Sequence, residues 1–228
     1  MRKSSILTLL LAAILLVSVS GGMAKDLKPI KLPAPNMKGG MPLMEALKAR
    51  RSVRDYTDQK ISDQVLSDLL WAAFGINRQG EGKRTAPSAM NWQEIDIYVA
   101  LEQGLYLYDP LKNTLEPVVG EDLRAQTGIQ RTASLAAINL VYVADYTKIS
   151  DKAAEDLQEF YTAADCGFIS QNVYLFCASA GLGTVVRAYI DREALADAMK
   201  LRKTQRIILA QSIGYPKEPP SEAPGVVK

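Results

Sequence analysis

Arg50, Arg51, Ser52, Val53 and Arg54 concentrate three guanidinium groups and a hydroxyl in one short run. If the run is extended, Arg50, Ser52 and Arg54 point to one side. If it continues a helix, Arg50 and Arg54 still share a face. A phosphate monoester carries about −2 charge at neutral pH. Arginine forks match its oxygens, and a hydroxyl adds a further donor. Taken alone, the run also suits cations that complement the C-terminal end of a helix dipole. A second stretch, Ala86-Pro87-Ser88-Ala89-Met90-Asn91-Trp92-Gln93, stands just before an apolar run. Asn91 and Gln93 offer donors and acceptors that can read the edge of a heterocycle. Alone, this stretch equally reads as a turn entering a strand.

The elements that must position these residues follow from local pattern. Pro42 suits a helix start, and Leu43, Met44 and Leu47 form an apolar stripe that ends at the arginines. Ser62 is a good N-cap for a helix whose face is Val65, Leu66, Leu69, Leu70 and Ala73, with Gly75 at its end. The segment 77–90 is polar and reads as a functional loop. Ile95, Ile97, Val99 and Leu101 alternate with more polar positions, which predicts a strand over 94–101. A hairpin over 104–108 and 114–118 turns at Asp109-Pro110. Residues 136–144 are apolar on both phases, as in a central strand. Residues 150–180 form the longest helical stretch, closed by Gly181. Strands over 184–190 and 205–213 flank a short helix that Asp191 can cap. This order predicts an α+β sandwich rather than a regular doubly wound sheet.

In order and separation, the two polar segments resemble flavin-binding segments of the nitroreductase family. In that family an Arg-x-Ser-x-(Arg/Lys) run binds the phosphate and ribityl region of FMN, and a Ser-x-x-Asn-x-Gln loop reaches the flavin. The resemblance places Arg50, Ser52, Arg54, Ser88, Asn91 and Gln93 at the cofactor, joined by Arg51. Asp165-Cys166-Gly167, Gln171-Asn172 and Gly181-Leu182-Gly183-Thr184 are similar to the family's long central helix and the turn after it. That turn would bring Leu182 and Gly183 to the flavin face, where a glycine permits close approach. Ile213-Gly214-Tyr215-Pro216 extends the likeness, which runs from about Pro42 to Pro216. Leu69 to Gly75 and Gly104 to Pro110 resemble the narrower SagB-type, azoline-oxidase-like branch. Beyond Pro216 many relatives carry more basic residues, whereas Lys217 and Lys228 are the lysines of this tail.

The resemblance implies a central, mostly antiparallel sheet flanked by helices, FMN as cofactor, and a homodimer with flavin where the subunits meet. It also implies hydride transfer to or from flavin N5 with a small-molecule substrate. No protein side chain need act as nucleophile or base, which suits a chain with no histidine. The same absence removes His triads, His-ligated metal and imidazole catalysis. Two cysteines, Cys166 and Cys177, are too few for a thiolate metal centre. Eleven positions apart on one helix, they would sit roughly 16 Å apart, too far for a disulfide, so both read as buried free thiols. A non-catalytic flavin-binding protein and a family scaffold whose phosphate site has decayed are the alternatives.

Arg2 and Lys3 precede an apolar run over 6–17 broken by Thr8, followed by small residues. This reads as a signal peptide over 1–24, cleaved after Ala24 or after Ser20, with an uncleaved N-terminal anchor as the alternative. The mature chain would be periplasmic or extracellular, with no stable membrane span. It would comprise an N-terminal arm (25–41), the flavin domain (42–216) and a tail (217–228). Without Arg2 and Lys3 the formal charge of +2 falls to about zero, so no basic field for nucleic acid is evident. Reduced nicotinamide is scarce outside the cytoplasm, so oxygen or a redox partner stays open as electron acceptor.

Overall fold

The computed structural model describes residues 27–218. The export segment expected at 1–24 and the tail beyond 218 lie outside the described residues. Seven strands form one antiparallel sheet in the order β1-β6-β5-β4-β7-β9-β8. They are β1 (Ile30–Lys31), β4 (Ile95–Leu101), β5 (Gly104–Asp109), β6 (Thr114–Val119), β7 (Ile138–Asp145), β8 (Gly183–Arg187) and β9 (Gln205–Gly214). A separate hairpin, β2 (Ile76–Arg78) and β3 (Lys83–Arg84), occupies the segment expected as an irregular loop. Its strands are two or three residues long, too short to show a period. The architecture is the expected α+β sandwich.

The central strand β7 is buried along its whole length, and the pleat explains why both of its phases are apolar. Ile138, Leu140, Tyr142 and Ala144 face one core, shared with α2 (Asp63–Phe74) and α4 (Glu155–Ser179). Val141 and Val143 face a second core with Leu195 of α5 (Arg192–Ala198) and Met199 just beyond it. Strand β4 behaves alike: Ile95, Ile97 and Val99 join the first core, and Tyr98 and Ala100 the second. The positions read as more polar are therefore covered too.

Helix α2 begins as its sequence indicates, with the Ser62 hydroxyl accepting from Val65 N–H. Its Leu69 and Leu70 are fully buried, each stabilising the fold by roughly 1.5–3 kcal/mol. Helix α4 starts at Glu155, after the turn at 150–154. It buries Thr162, Asp165, Cys166, Ile169, Ser170, Val173 and Cys177, a stripe at helical spacing. The two thiols are free and buried. Among the described residues no helix is long and apolar enough to cross a membrane.

The N-terminal arm is docked rather than loose. Strand β1 pairs with β6, and Leu32 is buried. The Pro33 carbonyl accepts from the Ser67 hydroxyl and the Asn113 amide, and Met41 N–H donates to Ser179 Oγ at 2.7 Å. By contrast, α1 (Leu43–Ala49) buries Ala46, while Leu43, Met44 and Leu47 stay exposed, Met44 at 74%.

Candidate active site

Helix α1 stops at Ala49, and Arg50 already has extended-type dihedrals. The arginine-rich run is therefore extended. Ser52 bridges Thr184 of β8 in parallel, and Val53 N–H donates to the Thr184 carbonyl at 2.9 Å. Val53 turns inward against Gly183 while Ser52 and Arg54 stay exposed. Arg51, Ser52 and Arg54 line an open recess of about 400 Å³ with Lys217, Asp55 and Glu218. Lys217 is held there by its backbone N–H, which donates to the Asp55 carbonyl. Arg50 instead lies over the Tyr174 ring, 5.4 Å from its centroid. The Tyr174 hydroxyl is 2.9 Å from Ser52 Oγ and accepts from Val186 N–H at 3.0 Å. Tyr174 escaped the sequence reading because it sits 120 or more positions from the segment it supports, with nothing local to mark it.

Leu182 and Gly183 follow the αL turn at Gly181, whose φ is +70°. Leu182 is buried, with its N–H on the Cys177 carbonyl. The need for glycine at 183 comes first from the protein itself. A Cβ there would lie 2.7 and 2.8 Å from Val53 Cγ1 and Cβ.

The loop Ser88–Gln93 enters β4 through a short 3-10 turn. Met90, Asn91 and Gln93 all have positive φ, between 50° and 57°, a conformation that costs L-residues about 1–2 kcal/mol each. Side chains hold it. Ser88 Oγ accepts Gln93 N–H at 2.8 Å, and the Ser88 hydroxyl donates to Glu94 Oε2 at 3.2 Å. The Gln93 amide is already occupied: its Oε1 accepts from Arg84 Nε at 2.7 Å. Its Nε2 donates to the Gly82 carbonyl and to Asn91 Oδ1. Arg84 in turn stacks over Phe74. Gln93 therefore shapes the loop, and Asn91 is presented outward. Ala89 N–H donates to Asp165 Oδ2 on α4. Trp92 meets Tyr161 edge-on at 6.1 Å.

The structure does not gather the two expected segments directly. Both contact α4, one at Asp165 and the other at Tyr174, roughly 14 Å apart along the axis at about 1.5 Å per residue. A wider recess of about 950 Å³ shares Lys217 but is lined otherwise by residues such as Thr57, Lys60, Glu102 and Arg124. There Lys60 is paired with Glu102, and Arg124 with Asp122. The arginine-rich recess is the more densely cationic, with Arg51, Arg54 and Lys217 among its seven lining residues. Among the described residues no group of three or more His, Cys, Asp or Glu could hold a metal.

Comparison with known proteins gives one consistent answer. The family model described as the Nitroreductase family matches residues 47–215. A provisionally named nitroreductase of Methanocaldococcus jannaschii is 32% identical over 178 residues, covering 73% of this chain and 88% of its own. The crystal structure of a provisionally named nitroreductase from Ralstonia eutropha superposes with a TM-score of 0.81 at 42% identity, covering 86% of this chain and 92% of that one. The NADPH:FMN oxidoreductase of Vibrio harveyi, solved with NAD+, shares the fold at TM-score 0.61 and 21% identity, over 80% and 72% of the two chains. The chain belongs to the nitroreductase family, and with it to the flavin-dependent oxidoreductases.

Proposed function

We propose that the protein is an exported, homodimeric FMN-dependent oxidoreductase acting on a small organic substrate. The observation that carries this reading is the recess walled by Arg51, Ser52, Arg54 and Lys217, fixed to β8 beside the Leu182-Gly183 turn. Its donor set fits a phosphate monoester: arginine forks, a hydroxyl and a lysine on a backbone held by hydrogen bonds. When bound, FMN supplies a ring that exchanges a hydride at N5. The chain's own residues do the rest. Arg51, Arg54 and Lys217 bind the phosphate, Ser52 adds a hydroxyl, and Arg50 braces the segment through Tyr174. Gln93 locks the opposite loop so that Asn91 reaches the ring edge, and Ser88 ties that loop to the core.

Two observations support the dimer. The segments meet α4 at separate levels, and a loop supplied by a second subunit reconciles them with one shared flavin. Leu43, Met44 and Leu47 on α1, with Leu157, Phe160 and Phe168 on α4, are exposed apolar side chains of the kind that mark interfaces. The Vibrio harveyi protein is named for NADPH and FMN. An exported enzyme would meet little reduced nicotinamide, so oxidation of an organic substrate, with oxygen or a redox partner as acceptor, suits this chain better. The azoline-oxidase-like stretches at 69–75 and 104–110 lean the same way. One preparation tests the reading. Purified protein should be yellow, release FMN on denaturation, and scatter light as a dimer. Colourless protein that takes up no added flavin would refute it.

A further inference from the structure

Glu94 is fully buried at the entry to β4, yet its Oε1 has no hydrogen-bond partner. A carboxylate left this way is costly. Its Oε2 accepts from the Ser88 hydroxyl. Asp165, also buried, reaches the same loop from α4 through the Ala89 N–H. The two carboxyl groups thus meet consecutive loop residues, Ser88 and Ala89, and lie close enough for the charge of one to act on the other; two neighbouring carboxylates cannot both ionise cheaply.

We propose that Glu94 and Asp165 share one proton, and that this bond positions the Ser88–Gln93 loop for flavin. The proposal rests on the flavin reading of that loop. The orphaned Oε1 is then the atom that carries the proton to Asp165. Burial pushes the Glu94 carboxyl up to about 7, and the Asp165 charge adds to the push. Burial raises Asp165 as well. The surroundings agree. From α4, the Cys166 thiol faces both carboxyls and is itself pushed up by burial. From the loop come the Ser88 hydroxyl and the Ala89 N–H. On β7, Asp145 lies across the ladder, but its carboxylate is engaged by Thr147 and Arg202. Asp96, the next carboxylate on β4, is paired with Lys148. A backbone with three left-handed residues persists only while its surroundings over-determine it. Removing the proton sets two like charges beneath that backbone and releases it.

The test titrates FMN and riboflavin into wild type and Glu94→Gln across about pH 5 to 9, beside denaturant unfolding of the apoproteins. Glutamine can donate to Asp165 and accept from Ser88, but has no proton to lose. For wild type, the riboflavin Kd should hold up to about pH 7 and then rise, by at most about tenfold per pH unit for one proton. FMN should show the same rise on top of the titration of its own phosphate at about pH 6, and for Glu94→Gln the riboflavin Kd should stay flat. The stability sign follows from a folded value raised above the ordinary 4.5. Folded protein keeps a proton that the unfolded chain has released, so wild-type stability should fall from about pH 4.5 to 7 relative to Glu94→Gln, then level. Asp165→Asn removes the repelling charge but leaves Glu94 buried, so it should shrink the stability fall without abolishing it; it serves if Glu94→Gln fails to fold, and an undiminished fall would overturn the sharing. Parallel stability curves would overturn the shared proton. A stability fall with pH-independent riboflavin binding would overturn the positioning role. Folded protein that binds neither flavin at any pH would instead overturn the flavin reading and the positioning role with it, while the stability curves still decide the proton.

Discussion

The arginine-rich segment and the Ser88–Gln93 loop are both expected to hold the same cofactor, yet they are built in opposite ways. Residues 50–54 are fixed by their backbone, through the Ser52 bridge and the Val53 N–H bond to Thr184. This leaves Arg54 exposed and available to a ligand, while the exposed Ser52 hydroxyl is shared with Tyr174. Residues 88–93 are fixed by side chains, through Ser88, Gln93, Arg84 and the buried acids, against left-handed strain. In the first region the backbone carries the anchoring, and Arg54 is left to present. In the second, Ser88 and Gln93 carry the fold of the loop, and little beyond Asn91 is left to present. Mutation should therefore separate binding from stability in the first region and merge them in the second.

The largest effect should come from removing the backbone anchor. Gly183→Ala drives a methyl into Val53, which sits on the segment itself, and should cost about 3 kcal/mol in denaturant unfolding, the upper end of the overpacking range. Val53→Gly in the same chain removes both clashing atoms and should recover part of it, a coupling that a double-mutant cycle reads directly. If the two changes simply add, the anchor lies elsewhere. Next is Arg54→Ala. It should leave the midpoint of unfolding in place and weaken FMN binding roughly ten- to a hundredfold, as expected for losing hydrogen bonds to a charged group. Riboflavin, which lacks the phosphate, should lose far less. Equal losses for the two flavins would remove Arg54 from the phosphate site. The smallest effect probes strain. Met90 is exposed with φ of 51°, so Met90→Gly should stabilise the protein by about 0.5–1 kcal/mol. A destabilised variant would mean that the Met90 side chain holds the loop.

Much of the scaffold is legible before folding. The alternation at Ile95, Ile97, Val99 and Leu101, the doubly apolar run of β7, the Ser62 and Asp191 caps and the Asp109-Pro110 turn all report local rules, and all appear where those rules place them. What failed was also local. The β2–β3 hairpin is too short to show a period, and five residues before α4 form a turn despite helical composition. The stripe Leu43, Met44 and Leu47 has helical spacing but faces outward, because spacing records which residues share a face and not what covers it.

For the candidate site, the residue types alone determined that cations and a hydroxyl are concentrated at 50–54 and amides at 88–93, and that no histidine chemistry is available. Tertiary structure decided which of those groups are free to act. It turned Arg50 onto Tyr174, closed the Gln93 amide onto Arg84, and brought Glu94 and Asp165 to consecutive residues of one loop. Tyr174 and Asp165 lie more than seventy positions from the segments they hold. They arrive there because α4 packs its buried stripe across the sheet, and contacts between distant parts of the chain are selected by the packing of whole elements, which leaves no mark in any one stretch of sequence.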